Sequence, residues 1–218
     1  MNFDTKKFSK LIGKLIEFKS GVTKLPIKAT SWEELIWAAL VFMYGDGNVD
    51  WDSQSHEKSV DIKVKVNGRV SKISAKGGAI KEGLLMVSSY RLTTFNKLKD
   101  KLNFIKNQHK NFNFYLICAR EINQANKTTN YIVIKTPATK LAPVAMLDEK
   151  NWKKTKGGYE FKLGTGFDAK IVSKMSSQLW YTIPVSYFSK REKIISISMP
   201  DKELGIKLID FLKQSQLK

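Results

Sequence analysis

Residues 60–78 read VDIKVKVNGRVSKISAKGG, from Val60 to Gly78. Asn67-Gly68 divides two runs of alternating character. Both residues tolerate positive φ, so the spacing predicts a two-residue type I′ hairpin. In that register Val66 faces Arg69, Val64 faces Ser71, Ile62 faces Ile73, Asp61 faces Ser74 and Val60 faces Ala75. Alternation puts Val60, Ile62, Val64, Ile73 and Ala75 on one apolar face. Asp61, Ser74 and Lys76 fall on the other, with Lys76 diagonal to Asp61 at roughly 7 Å and within reach of a long side chain. A carboxylate, a hydroxyl and an ammonium thus meet at one end of the hairpin. Lys63, Lys65 and Lys72 share this face, so a solvated basic surface is the plain alternative. Two features favour a site. Asp61 is the only acid in the hairpin, and Gly77-Gly78 directly follow Lys76, where missing side chains let a ligand backbone approach closely.

The whole chain has 218 residues, 42% of them hydrophobic, which suits one domain with a sizeable core. Lys and Arg outnumber Asp and Glu 38 to 20, for a net charge of +18 and a pI near 9.8. A folded domain this basic usually meets a polyanion, although biased base composition in the source genome also enriches lysine. Cys118, the one cysteine, lies in the apolar run FNFYLICA and reads as a buried small residue. No Cys/His cluster offers a zinc site, and His56 and His109 fall in polar, loop-like stretches. With no signal-like segment and no apolar run of membrane-spanning length, a cytoplasmic protein is expected.

Along the chain, Phe8, Leu11, Ile12, Leu15 and Ile16 follow helical spacing, with Asp4 as a cap. Such a basic amphipathic helix suits core packing first, and a membrane or phosphate surface second. Ser31 and Glu34 form the capping box of a second helix, SWEELIWAALVFMYG, that Gly45 ends. After the hairpin come an apolar segment at 84–87 and a lysine-rich helix over about 94–107 with Leu98, Leu102 and Ile105 inward. Strands follow at 112–119, 131–135, 159–163 and 193–198. Asp201 caps a final helix carrying Leu204, Leu208, Phe211 and Leu212. The order predicts a mixed α/β domain with a central sheet flanked by helices.

Several chemistries are absent from this sequence. There is no phosphate-binding Gly-rich loop with its lysine, no G-x-S-x-G elbow and no nucleophile–base pair. Acids plus a lysine on a basic protein suit a hard cation, bound by oxygen, acting on a phosphodiester. An aspartate on one strand with x-x-Lys on its antiparallel partner, here VDI (Asp61) and SAK (Ser74, Ala75, Lys76), resembles the PD-(D/E)xK nuclease superfamily. The stretch WEELI, with Glu33, matches the helix acid that this superfamily often adds. The resemblance covers about residues 31–120. It implies a restriction-endonuclease-like core, with Asp61, Lys76, Glu33 and Ser74 at the catalytic centre and Mg2+ (or Mn2+) held by Asp61, Glu33 and the carbonyl of Ala75. Ser74 stands where the superfamily usually has an acid, and no proline precedes Asp61. Glu33 would then supply the missing charge.

Size and basic character resemble a type II restriction endonuclease, which implies cleavage of double-stranded DNA at a short palindromic site by a two-fold homodimer. The chain from about 157 to 200 is the expected β-rich recognition part. Within it, GTGFDAKIVSKMSSQLWYTIP offers Ser176, Ser177 and Gln178 for base edges and Lys170, Lys174 and Lys190 for phosphates. Met175 is a wedge between bases or core filler. Trp180 and Tyr181 read as packing, and an ordinary helix and strand is the plain alternative for this segment. Gly77 and Gly78 would let DNA approach the core. Two other readings stay open: a junction-resolving or repair nuclease, and a non-catalytic nucleic-acid-binding protein in which Asp61 and Lys76 form a structural ion pair.

Overall fold

The computed structural model describes residues 3–51, 60–174 and 176–214. The hairpin forms in the predicted register. β2 (Ile62–Val66) pairs with β3 (Arg69–Lys81), Ile62 opposite Ile73 and Val66 opposite Arg69. Asn67 (φ 49°) and Gly68 (φ 73°) make the turn in the left-handed region that a type I′ hairpin requires. One residue departs from the expected face. Ile62, Val64, Ile73 and Ala75 share a core, but Val60 packs into the core of the opposite face. It precedes the ladder, where strand alternation no longer holds it.

β3 organises the rest. Along one edge it pairs with β2 up to Ile73, then with β4 (Leu84–Arg91) from Gly78. Along the other it runs parallel to β5 (Phe114–Asn123) from Ile73 to Ile80. A parallel pair needs a crossover, supplied by β4 and α3 (Leu98–Gln108). β6 (Thr128–Pro137) and β11 (Lys193–Pro200) extend the sheet beyond β5. On the far side β10 (Gln178–Pro184) pairs with β4 and leads to β9 (Asp168–Val172), β8 (Gly158–Lys162) and β7 (Trp152–Thr155). Short β1 (Val49–Trp51) pairs with β2. The result is a mixed α/β fold with a large central mixed sheet and helices on both faces.

Two cores follow from strand alternation. On one face α1 (Thr5–Gly21) and α2 (Ala29–Tyr44) bring Phe8, Ile12, Ile16, Trp32, Ile36 and Leu40 against Ile62, Val64, Ile73, Leu116 and Cys118. On the other, Leu98, Leu102 and Ile105 of α3 meet Leu85, Val87, Tyr115, Ile117, Leu179 and Tyr181. β5 is buried on both faces, which is why its sequence is a continuous apolar run. Cys118 lies inside it, and burial pushes its thiol up, away from thiolate chemistry.

The helix ends carry the main corrections. Asp4 caps α1 as expected, accepting from the Lys7 N–H at 2.9 Å. α2, however, starts at Ala29 after Lys28, which gives no side-chain cap. Ser31 is already inside the first turn, its N–H bonded to the Lys28 carbonyl at 3.1 Å, so the Ser31–Glu34 capping box does not form. Glu34 is exposed and lies 3.8 Å from Lys19. α3 starts later than expected, at Leu98. Asp201 begins a 3-10 turn (Asp201–Glu203); after Gly205 (φ 73°), α4 (Ile206–Gln214) leaves Leu208 and Phe211 exposed. His109 is not in a polar loop. It is buried behind α3, facing the Ile105 carbonyl and the Tyr115 hydroxyl, and burial lowers its pKa.

The return from β6 to β11 is tied by Glu192. Thr136, Lys140 and both the N–H and hydroxyl of Ser189 donate to its carboxylate. Among the described residues, no helix is long and apolar enough to cross a membrane.

Candidate active site

The partner exchange of β3 leaves a notch. Between Ile73 and Gly78, the described ladders give β3 no strand on its β2/β4 edge. Asp61 fills this gap. Its N–H donates to the Ile73 carbonyl at 3.0 Å, and its carboxylate turns into the opening. There Oδ2 accepts the Ser74 hydroxyl at 3.0 Å, the Ala75 N–H at 2.7 Å and the Lys76 ammonium at 3.0 Å. Among the described residues Oδ1 accepts no hydrogen bond. Ala75 donates toward this edge, and in an extended strand the carbonyl of the same residue leaves on the same side. The Ala75 oxygen is therefore directed at the notch. Ser74 is buried, while Asp61 and Lys76 keep about a fifth of their side-chain surface, 22% and 20%.

Glu33 joins this group from α2. The Trp51 indole donates to its Oε2 at 3.3 Å. Burial and then the negative charge of Asp61 push the Glu33 carboxyl above its ordinary range, against the Trp51 hydrogen bond and the charge of Lys76. Glu33 thus feels both members of the hairpin pair. Glu34, a helical step of about 100° away, points to solvent. Trp51 was not singled out in the sequence. Its place depends on β1 pairing with β2, Trp51 opposite Ile62, which no local pattern announces.

The Asp61 and Glu33 carboxylates, the Ser74 hydroxyl and the Ala75 carbonyl are oxygen donors of the kind that suits a hard divalent cation. Among the described residues there is no group of three or more His, Cys, Asp or Glu suited to a metal. Mg2+ is commonly held by one or two carboxylates, its remaining ligands coming from water and substrate phosphate, so Asp61, Glu33 and Ala75 are sufficient in kind.

Of the expected recognition residues, Gln178 and the turn before it sit at the same end of the sheet. In the β3–β4 register each step back along β3 matches a step forward along β4, which sets Arg91 level with Ser74. Gln178 is opposite Arg91, where the β10–β4 ladder slips before Trp180. The segment is a hairpin of β9 and β10, not a helix and strand. Ser176 (φ 55°) and Ser177 (φ 45°) form its turn, with Ser176 exposed and Ser177 half-buried. Lys174 is exposed, as is Lys190. Lys170 is exposed too but lies 2.9 Å from Glu160 on β8. Met175 lies outside the described residues. Tyr181 is buried in the core and Trp180 half-buried, in keeping with packing. Gly78 has a packing reason of its own: a Cβ there would meet Leu85 Cδ1 at 2.8 Å and the Met86 carbonyl at 3.1 Å.

No family model and no curated protein matches the chain. A solved structure described as a restriction endonuclease in complex with substrate DNA aligns over 96% of this chain and 92% of that one, with 16% identity and a TM-score of 0.42.

Proposed function

We propose that this protein is a divalent-metal-dependent endonuclease of double-stranded DNA, of the PD-(D/E)xK type, acting as a type II restriction enzyme. The observation that carries this is the notch in β3, where Asp61, Ser74, the Ala75 carbonyl and Lys76 converge and where the charge of Asp61 helps to raise the Glu33 carboxyl. The net charge of +18 supports a polyanionic substrate.

Asp61, Glu33 and the Ala75 carbonyl would hold the cation, Mg2+ or Mn2+. When bound, it would polarise the scissile phosphate and lower the pKa of a coordinated water. Lys76 orients the attacking water, and its ammonium offsets the negative charge that grows on the phosphoryl oxygens. The Ser74 hydroxyl and Ala75 N–H hold the Asp61 carboxylate in place. At a palindromic site a two-fold homodimer would present one such notch to each strand.

One observation favours a second reading. The 3.0 Å contact of Asp61 with Lys76 is also what a structural ion pair in a non-catalytic DNA- or RNA-binding protein would look like. Against it stands Glu33, a third charge brought to the pair without a cation of its own among the described residues. Incubation of plasmid DNA with the protein and Mg2+ or Mn2+ tests the proposal. Discrete bands are expected; preference for branched substrates would indicate a resolving or repair nuclease, and binding without cleavage would indicate the non-catalytic reading.

A further inference from the structure

Three loops close on a polar cleft of about 350 Å3 beside the sheet end that carries the notch. They are the chain from β4 to α3, the β7–β8 turn and the β9–β10 turn. Lys101, Lys154 and Lys156 line it together with Thr93, Ser173 and Ser177. The walls are bonded to one another. The Leu92 N–H donates to the Ser177 carbonyl at 3.2 Å, and the Ser173 N–H to the Gly157 carbonyl at 2.9 Å.

Lys101 is the unusual member. It is 5% exposed, although lysine is seldom buried without a partner. Its ammonium donates to the Leu92 carbonyl at 3.3 Å, and among the described residues it forms no ion pair with a carboxylate. Burial lowers its pKa accordingly. A buried ammonium with no carboxylate beside it among the described residues, on the wall of a polar cavity, is placed to take an anion as its counter-charge. Lys154 and Lys156 are exposed at the rim and add charge at the mouth. Between Lys150 and Lys174 the chain holds seven lysines and two acids.

We propose that this cleft seats a backbone phosphate of the DNA, with Lys101 as its buried counter-charge and Lys154 and Lys156 as its outer contacts. This rests on the nuclease reading and extends it. The cleft spans the ends of β10, β9, β8 and β7, two or more strand spacings from β3, so its centre is about 10–20 Å from the notch. That is about half a helical turn of duplex, given a turn of roughly 34 Å. A duplex lying along this end of the sheet would place one phosphate at the notch and another at the cleft.

The test uses the full chain and a short duplex, with Ca2+ in place of Mg2+ to prevent cleavage, and measures affinity against salt. Each neutralised phosphate contributes about −0.9 to the slope of log K against log salt. Lys101→Met should make the slope shallower by about that amount, and Lys101→Arg should restore it. Lys154→Ala with Lys156→Ala, on exposed positions, should also flatten it. Unchanged slopes in both the Lys101→Met and the double variant would overturn the proposal. Titration with inorganic phosphate, followed by melting temperature, separates the site from the nuclease reading. If wild type fails to bind duplex but phosphate stabilises it and not Lys101→Met, the anion site stands and the DNA reading falls. If neither ligand acts through Lys101, the cleft is not an anion site.

Discussion

At the residue scale, two glutamates show how environment divides one side-chain type into opposite roles. Glu33 has its pKa raised, first by burial and then by Asp61. A raised carboxyl adds stability only below its unfolded value, and the contribution is lost as pH rises through the folded value. Glu33→Gln should therefore raise the melting temperature of the metal-free protein at pH 7, with the gain fading as pH falls through the raised value and gone by about 4.5. The same variant should lose Mg2+-dependent cleavage by at least a hundredfold, while Glu34→Gln, on an exposed side chain, should keep both activity and stability. Parallel melting and cleavage curves decide it; full activity in Glu33→Gln would remove that residue from the metal site. Glu192 has the reverse sign. Burial acts against its charge, but bonds from Lys140, Thr136 and Ser189 outweigh that and bring its carboxyl down to about 2. Its stabilisation is present above the ordinary 4.5, amounts to at most about 3 kcal/mol, and is lost as pH falls toward 2. Glu192→Gln should lower the melting temperature at pH 7 and narrow the gap to wild type between pH 4.5 and 2. A gap independent of pH would mean that packing, not charge, accounts for the loss.

At the level of elements, the hairpin was legible because its determinants are local. Asn67-Gly68 sets the turn, the turn sets the register, and the register brings Asp61 to Ser74 and Lys76. The same locality explains the identification of α1 and the inward face of α3. The start of α2 departs from the sequence expectation: Ser31 and Glu34 have the right spacing for a box, yet the chain enters the helix from Lys28 and leaves Ser31 no cap position. The sheet order was not legible. The parallel β3–β5 pair and the β4–β10 pair join segments distant in sequence, and nothing in either strand names its partner. Gly78 belongs at this scale as well, since close packing of β3 against β4 accounts for it. Gly78→Ala should cost about 1–3 kcal/mol through overpacking against Leu85 and the Met86 carbonyl. Chemical denaturation measures that loss; unchanged stability with weakened DNA binding would instead make Gly78 a point of DNA approach.

For the whole molecule, the excess of positive charge was plain from composition, but its gathering around Lys101 and the three loop ends required the fold. Charge and notch together make a joint prediction, because a basic binder and a basic nuclease differ only in what happens at Lys76. The ammonium is assigned to the transition state, so its loss should fall on the rate and leave affinity largely intact. The decisive measurement is Mg2+-dependent cleavage of duplex DNA by wild type and Lys76→Ala, each paired with its DNA affinity in Ca2+. The account predicts discrete products from wild type, and a Lys76→Ala protein that binds DNA within a few-fold of wild type yet cleaves at least a thousandfold more slowly. Cleavage by Lys76→Ala within tenfold of wild type, or no cleavage by wild type with either Mg2+ or Mn2+, would contradict it.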